Sequence, residues 1–533
     1  MNIRPHSLTR LDAALAALTF VATLALYVRT LAPGLLLGDS AEFQTLAYTL
    51  GMTHPTGYPV YVLMARLFTL LPFGDLAYRV NLFSAVMASL ALALIYLAGR
   101  LLQNPKGLGG ASNFIAALAG PLALSIVPVF WMHAVIAELY APAAACLAGL
   151  IVLILLWRQS GDWRYLAGAG LLGGLSLGVH NTVALAAPAV LAYLALTART
   201  RRAWLGAVIG GFVGAALALI AFLALDAYNA PPTYYNATAR HALSVWGLSA
   251  GDFDSPFERL NFLYAAKQFR PFMFANPAAN MPANAQAYWE HLNEAFAPLT
   301  VALMMLGVAA LFKRRWREGI LLGLAWATQF AFVTNYDVGD IQVFYIPGFV
   351  ILTLFVGAGS ALVLDLIAWL AQRRPHLTRG AAGAASAAGL VLLAGLPWPL
   401  TPVIQEAWAE GRATFIAEGD FADYPYPVHD PEYPREDALA LVEGLEDNAI
   451  VFTGWDMLYP YYFVAHVEQG RTGLAFHETY PQDGVMRLAD STLAYIEANI
   501  DTRPIYFSER PSQLADKYKI TRTGSGLFRI ERK

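Results

Sequence analysis

The chain is a succession of apolar runs, and their lengths decide what it can fold into. Stretches at 11–31, 79–101, 112–131, 138–157, 163–180, 181–198, 203–225, 297–312, 318–334, 343–371 and 380–400 are dominated by Ala, Leu, Val, Ile, Gly and Phe. A helix that crosses roughly 30 Å of hydrocarbon takes about 20 such residues. About eleven spans are therefore expected, with 163–180 and 181–198 the shortest pair. Of the 533 residues 57% are hydrophobic and 14% charged, which excludes an ordinary soluble enzyme. The net charge of −3 supplies no field for nucleic acid. Cys146, the lone cysteine, lies in an apolar run and cannot close an intrachain disulfide.

The basic residues give the expected sidedness. Arg4/Arg10, Arg100/Lys106, Arg158/Arg164, Arg199/Arg201/Arg202, the cluster at 313–317 and Arg373/Arg374/Arg379 all fall on one side of an eleven-span path. The positive-inside rule makes that side cytoplasmic, so the N-terminus is expected inside and the C-terminal segment outside. The first apolar run is longer than the core of a signal peptide and reads as a retained anchor. The composition, rich in Ala and Leu, suggests the inner membrane of a bacterium. The expected organisation is a membrane domain over 1–400, with outer loops at 32–78 and 226–296, followed by a soluble extracytoplasmic α/β domain over 401–533. In that tail, 449–453, 472–476, 504–508 and 527–531 read as strands, while 457–467 and 492–500 read as helices. The tail opens with an acidic stretch rich in Tyr and Pro from Asp420 to Pro434, and no glycine-rich phosphate loop follows it. No internal repeat is visible, which disfavours transporter folds built from duplicated halves.

The polar chemistry gathers in the expected outer loops. Asp39 and Glu42 stand three apart before an amphipathic stripe of Phe43, Leu46, Ala47 and Leu50, which predicts a helix lying in the membrane interface. Asp-x-x-Glu is also the pattern of a capping box, so the pair reads either as a helix start or as a general base, with Asp39 favoured for that role. His54-Pro55-Thr56-Gly57-Tyr58-Pro59 stiffens the next turn, because each proline biases the residue before it towards extended geometry. It is either a rigid connector or a device that aims His54 and Tyr58 into a pocket.

Arg66 and Arg79, the latter followed by Asn81, lie on the expected outer side. They read as interfacial anchors or as partners for a lipid phosphate, which a guanidinium can grip bidentately. His133, Glu138 and Tyr140 surround one outer turn, His180 and Asn181 separate two short runs, and Asn335, Tyr336, Asp337 and Asp340 form an acidic turn. All are pocket candidates. None shows a diagnostic metal spacing, so no tightly held metal or other cofactor is expected, and a weakly bound Mg or Mn ion is left open.

As a set, Gly38-Asp39-Ser40-Ala41-Glu42, the 54–59 block, Leu71-Pro72-Phe73-Gly74 and Arg79-Val80-Asn81-Leu82 resemble, in order and spacing, a family once known only as a domain of unknown function. That family includes bacterial membrane proteins and eukaryotic O-mannosyltransferases outside the classical mannosyltransferase group. Phe130-Trp131 with Glu138-Leu139-Tyr140, the 174–178 block with His180, and Asn335-Tyr336-Asp337 with Asp340 are similar to its later blocks. Phe452-Thr453-Gly454-Trp455-Asp456 is similar to its tail. The resemblance covers roughly residues 10–360 and, loosely, the tail. It implies a GT-C glycosyltransferase fold, a polyprenyl- or dolichyl-phosphate sugar as donor, and an acidic residue at the active site in the first outer loop. Asp39 matches that acidic position and Glu42 is its neighbour. Ser40 stands where the classical enzymes carry the second member of an adjacent Asp-Glu pair.

The expected protein is thus an α-helical, polytopic, GT-C-like glycosyltransferase. It moves a sugar, a hexose such as mannose, from a polyprenyl-phosphate donor to a hydroxyl on a protein, lipid or glycan, with inversion. Asp39 is its base, Glu42 stands beside it, and His54, Tyr58, Arg66, Arg79 and Asn81 hold the donor. The rival is a transporter or flippase that uses the same residues for binding, and a non-catalytic scaffold is the third reading. A transporter would favour charges near mid-bilayer.

Overall fold

Thr9 opens the first helix, Arg10–Arg29, through a reciprocal capping box: its hydroxyl accepts from the Asp12 amide at 3.2 Å, and its own amide donates to Asp12 at 2.8 Å. The coordinates are a computed structural model that describes residues 8–103, 111–373, 380–417, 426–479 and 488–533. Arg4, Lys106, Arg374, Arg379 and the start of the acidic stretch at Asp420 lie outside the described residues. Asp75 caps the next long helix, Leu76–Leu102, and Thr200 caps Arg201–Tyr228.

Every expected apolar run is helical, but the runs are not eleven equal crossings. Among the described residues six helices are long and apolar enough to span a bilayer alone, or eight if each of two bent pairs is one crossing. The run at 112–131 breaks into Ala111–Ser125 and Pro128–Val135, bent by 72°, and Pro277–Ala295 meets Pro298–Arg314 at 114°. Pro128 and Pro298 start the second helix of each pair, where a missing N–H costs nothing and the chain can turn. The short pair is Trp163–Ser176, whose 14 residues rise only about 21 Å, and Asn181–Thr197. Several long apolar helices make this an integral membrane protein.

Glycines set the closest helix contacts. Gly206, Gly210 and Gly214 recur every four residues along Arg201–Tyr228 and face Trp163–Ser176 across a seam. A Cβ on Gly210 would sit 2.1 Å from the Ala167 carbonyl oxygen, and one on Gly174 would sit 2.4 Å from that of Gly211. Small residues at this spacing let backbones meet where lipid supplies no hydrophobic drive. Gly210→Leu is therefore expected to force the two helices apart at a cost of about 3 kcal/mol or more, seen as a lower melting midpoint and aggregation in detergent. An unchanged midpoint would show that this seam does not exist.

The amphipathic helix of the first loop, Gly38–Thr49, is not laid in the membrane interface. Glu42, Phe43, Gln44, Thr45, Leu46 and Ala47 are all fully buried. The cause is the tail, which packs over the polar side of the helix: Thr45 donates to the Tyr459 carbonyl at 3.2 Å. Gln44 bridges inward, accepting from the Leu36 amide and donating to Asn81.

The C-terminal segment forms a mixed five-stranded sheet in the order β2-β1-β3-β5-β4. Its strands are β1 Ile450–Thr453, β2 Ala475–Glu478, β3 Ile505–Phe507, β4 Tyr518–Arg522 and β5 Phe528–Arg532. The first three pair in parallel, and β3, β5 and β4 pair antiparallel. Three strands and both helices lie where the sequence predicts them. β2 begins three residues later than expected, because a turn closed by the Leu474 amide on the Arg471 carbonyl at 3.2 Å takes up the start of the expected strand. The β4 strand and the Tyr433–Glu443 helix were not expected.

Candidate active site

Asp39 does not cap its helix. Leu37 is the N-cap and makes no side-chain cap bond, so the Asp39 carboxylate is released from structural duty in the first turn. Glu42, one helical turn on, does not reach back to the cap either. Its Oε1 accepts from the His54 amide at 2.8 Å, and its Oε2 lies 2.5 Å from His54 Nδ1. The other ring nitrogen of His54, Nε2, is 3.8 Å from Asp39 Oδ2. The indole N–H of Trp455 donates to Asp39 Oδ1 at 2.7 Å. One imidazole thus stands between two carboxylates. Glu42 is wholly buried and the Asp39 side chain is 42% exposed.

The electrostatics follow from that burial. Desolvation pushes the Glu42 carboxyl up and would push His54 down, but the charges of Glu42 and Asp39 outweigh it and lift His54 to about 9. His54 is an imidazolium at neutral pH. The turn that carries it needs Gly57 at φ 89°, and Tyr58 adopts the left-handed region at φ 42°. The Gly57 amide donates to the His54 carbonyl at 2.7 Å, and Tyr58 Oη donates to that of Pro55 at 2.8 Å. The Pro59–Thr69 helix that follows docks on the 174–180 block. The Gly178 carbonyl accepts from the amides of Val60 and Tyr61 at 2.8 and 3.1 Å, two donors a helix start leaves unpaired. A Cβ at Gly178 would lie 2.6 Å from Val60 Cγ2.

A cavity of about 290 Å³ opens beside this triad. Asp39, His54 and Tyr58 form one wall, Glu138 and Tyr140 a second, His180 and Asn181 a third, and Tyr336 and Asp340 the fourth. Tyr58 stacks on His180 with ring centroids 5.7 Å apart and an interplanar angle of 12°. Glu138 is pinned by its amide, which donates to Ser84 Oγ at 3.2 Å. Burial, with the charge of Asp39 adding to it, pushes the Glu138 carboxyl well above the usual range. A second cavity of about 440 Å³ shares Thr56, Tyr264 and Ala265 with the first. Its walls are apolar, with Leu177, Ala215, Leu219 and Phe222 among them.

The remaining candidates lie elsewhere. The Arg79 guanidinium is spent on the carbonyls of Thr69, Phe73 and Gly74. Arg66 donates to the Tyr48 carbonyl and stacks over the Tyr48 ring at 4.7 Å. No lysine or arginine lines the cavity beside Asp39 among the described residues. Asn81 is buried and ties the carbonyls of Ala32 and Gly34. His133 donates to the Val129 carbonyl and packs behind Tyr140 with centroids 4.9 Å apart. Asn335 donates to the Ala331 carbonyl, and neither it nor Asp337 lines the cavity. Among the described residues no three His, Cys, Asp or Glu side chains are grouped to hold a metal ion. Trp455 was not among the expected site residues, although it belongs to the 452–456 block that resembles the family's tail.

Residues 39–204 match the family described as the protein O-mannosyl-transferase TMEM260 N-terminal domain. Protein O-mannosyl-transferase TMEM260 of Mus musculus is 44% identical over 78 residues, which are 14% of this chain and 11% of that protein. The protein of the same description from Dictyostelium discoideum is 26% identical over 127 residues, 23% of this chain and 14% of its own length. The matched stretches thus span about a seventh or less of these relatives. Among solved structures, ArnT from Cupriavidus metallidurans bound to undecaprenyl phosphate superposes with a TM-score of 0.56 at 13% identity, covering 97% of this chain and 98% of that one. Its apo state gives 0.52. The chain therefore has the GT-C-type fold of ArnT, as expected from the resemblance.

Proposed function

We propose that the chain is a membrane glycosyltransferase that moves a sugar, a hexose such as mannose, from a polyprenyl phosphate to a hydroxyl group of a protein. The observation that carries this reading is the Asp39–His54–Glu42 triad, which presents Asp39 and His54 to a polar cavity that adjoins an apolar one at Thr56, Tyr264 and Ala265. The apolar cavity takes the start of the prenyl chain, and the sugar and phosphate occupy the polar one. Undecaprenyl phosphate in the ArnT structure of the same fold supports that class of donor.

Asp39 accepts the proton of the acceptor hydroxyl as its oxygen attacks the anomeric carbon, and the bond from that carbon to the phosphate oxygen breaks on the opposite face. One displacement inverts the centre. Leaving phosphate carries its own charge away, and the cavity stabilises it through the His54 imidazolium. With Arg66 and Arg79 turned to the loop carbonyls, this replaces the guanidinium grip expected from the sequence. Trp455 orients Asp39 and brings the C-terminal segment, over 401–533, into the site. Taken over the eleven expected apolar runs, the positive-inside pattern supports a cytoplasmic N-terminus and an outer-facing site on a bacterial inner membrane.

The test is transfer itself. Purified protein, radiolabelled polyprenyl-phosphate sugars and a membrane extract should yield label in a protease-sensitive product. Label that stays on lipid for every donor, while the lipid crosses between leaflets of reconstituted vesicles, would favour the transporter instead.

A further inference from the structure

A third cavity, of about 370 Å³, lies where the segment between 226 and 296 meets the outer edge of β2, apart from the site around Asp39. Its lining includes Arg240, His241, His477, Tyr495 and Arg503, and no carboxylate is among its described lining residues. That is an unbalanced charge in a chain whose net charge is −3.

The pocket is built rather than incidental. His241 and His477 pack ring to ring with centroids 4.1 Å apart, each within 5 Å of the Tyr495 ring. His477 Nδ1 lies 3.0 Å from the Asn236 carbonyl and therefore carries the proton, so Nε2 accepts from Tyr495 Oη at 3.1 Å. The hydroxyls of Ser491 and Thr492 both donate to the His241 carbonyl, at 3.1 and 3.0 Å, and tie the two segments together. Arg503 spends Nε on the Asn448 carbonyl and Nη2 on those of Ala449 and Gly473, which fixes the side chain and leaves Nη1 for a further partner. His241 is 4% exposed. Burial holds His241 down to about 4 and His477 well below the ordinary imidazole range. Both rings are neutral walls, and the guanidiniums supply the charge.

We propose that this cavity binds an oxyanion carried on a polar body, in the chemical class of a sugar phosphate, with the Arg240 guanidinium as its main partner and the remaining Nη1 of Arg503 as the second. Guanidinium forks match the oxygens of phosphate. The volume, about twelve waters' worth at roughly 30 Å³ each, exceeds what one bare ion fills, and the Tyr495 ring offers a face to a sugar. The inference is independent of the transfer reaction proposed above.

Titration calorimetry of the full chain in detergent tests it, with glucose 6-phosphate and inorganic phosphate as probes and glucose as the uncharged control. Both anions should bind, the sugar phosphate more tightly, and glucose should not. R240Q should weaken both by about tenfold or more, the loss of one charged contact. Arg240 is exposed, so the variant should keep the wild-type melting midpoint. D39N should bind as wild type, which separates this cavity from the one beside Asp39. No binding, undiminished binding in R240Q, or loss in D39N would overturn the proposal. Equal affinity for the two anions would overturn its sugar-bearing class.

Discussion

Replacing Asp39 by asparagine should lower sugar transfer by roughly 10²–10⁴-fold while donor binding stays within a few-fold of wild type. The side chain of Asn keeps an oxygen to accept from Trp455, so the 2.7 Å contact that orients residue 39 survives. What disappears is basicity, and with it the only carboxylate of the triad that is substantially open to an incoming acceptor. Because Asp39 does no capping work, the helix that carries it should not be weakened. Turnover and donor affinity measured on the same preparation separate the two effects. If D39N turns over within about threefold of wild type, the base is another group and the proposed chemistry fails.

The second large effect should come from Glu42→Gln, and it should be visible against pH. Glu42 is fully buried and holds His54 at two points, by a ring contact and a backbone amide. Glutamine can still accept from the amide, but it removes the charge that keeps His54 protonated. The sign is fixed by linkage. A histidine raised from 6.5 to about 9 gives stability that is fully present below 6.5 and is lost as pH rises through 9. A shift of that size corresponds to something on the order of 3 kcal/mol. Burial raises the Glu42 carboxyl too, so its linkage has the same direction, stability falling as pH rises above its ordinary range, and the imidazolium offsets part of the cost of burying it.

Wild-type melting midpoints should therefore fall between pH 7 and 10, and activity should show a basic limb near 9. In Glu42→Gln the midpoint should already be low at pH 7 and should change little above it. A variant with the same pH profile as wild type would mean that Glu42 does not charge His54.

Much of this architecture can be read one segment at a time. The runs at 79–101 and 203–225 announce membrane helices because length and apolarity alone decide whether a segment prefers lipid. β1 and β3 are legible for a related reason: Ile450–Thr453 and Ile505–Phe507 are short apolar runs, buried throughout. β4 escaped because Tyr518–Arg522 is a half-exposed edge strand with two charges, and its pairing partner decides it. Asp39, Glu42 and His54 were legible because fifteen residues or so of chain hold all three, and a stiff turn limits how they can face each other.

Other features depend on distant chain. Trp455 reaches Asp39 across 416 residues, and no spacing rule bridges that gap. The amphipathic stripe of Gly38–Thr49 suggested an interfacial helix because a stripe reports one apolar face and cannot report that a tail will cover the polar one. Arg66 and Arg79 look like phosphate ligands by charge and side, yet guanidiniums satisfy the nearest free acceptors, here the carbonyls of their own loop.

Membrane residence, the course of the helices and the short loop that holds Asp39, Glu42 and His54 are legible in the chain, because hydrophobic transfer and local stiffness act on neighbouring residues. Which charges face one another, which are spent on backbone and how the tail meets Asp39 emerge when the chain packs. Those outcomes depend on burial and on distances set by packing between segments remote in the chain.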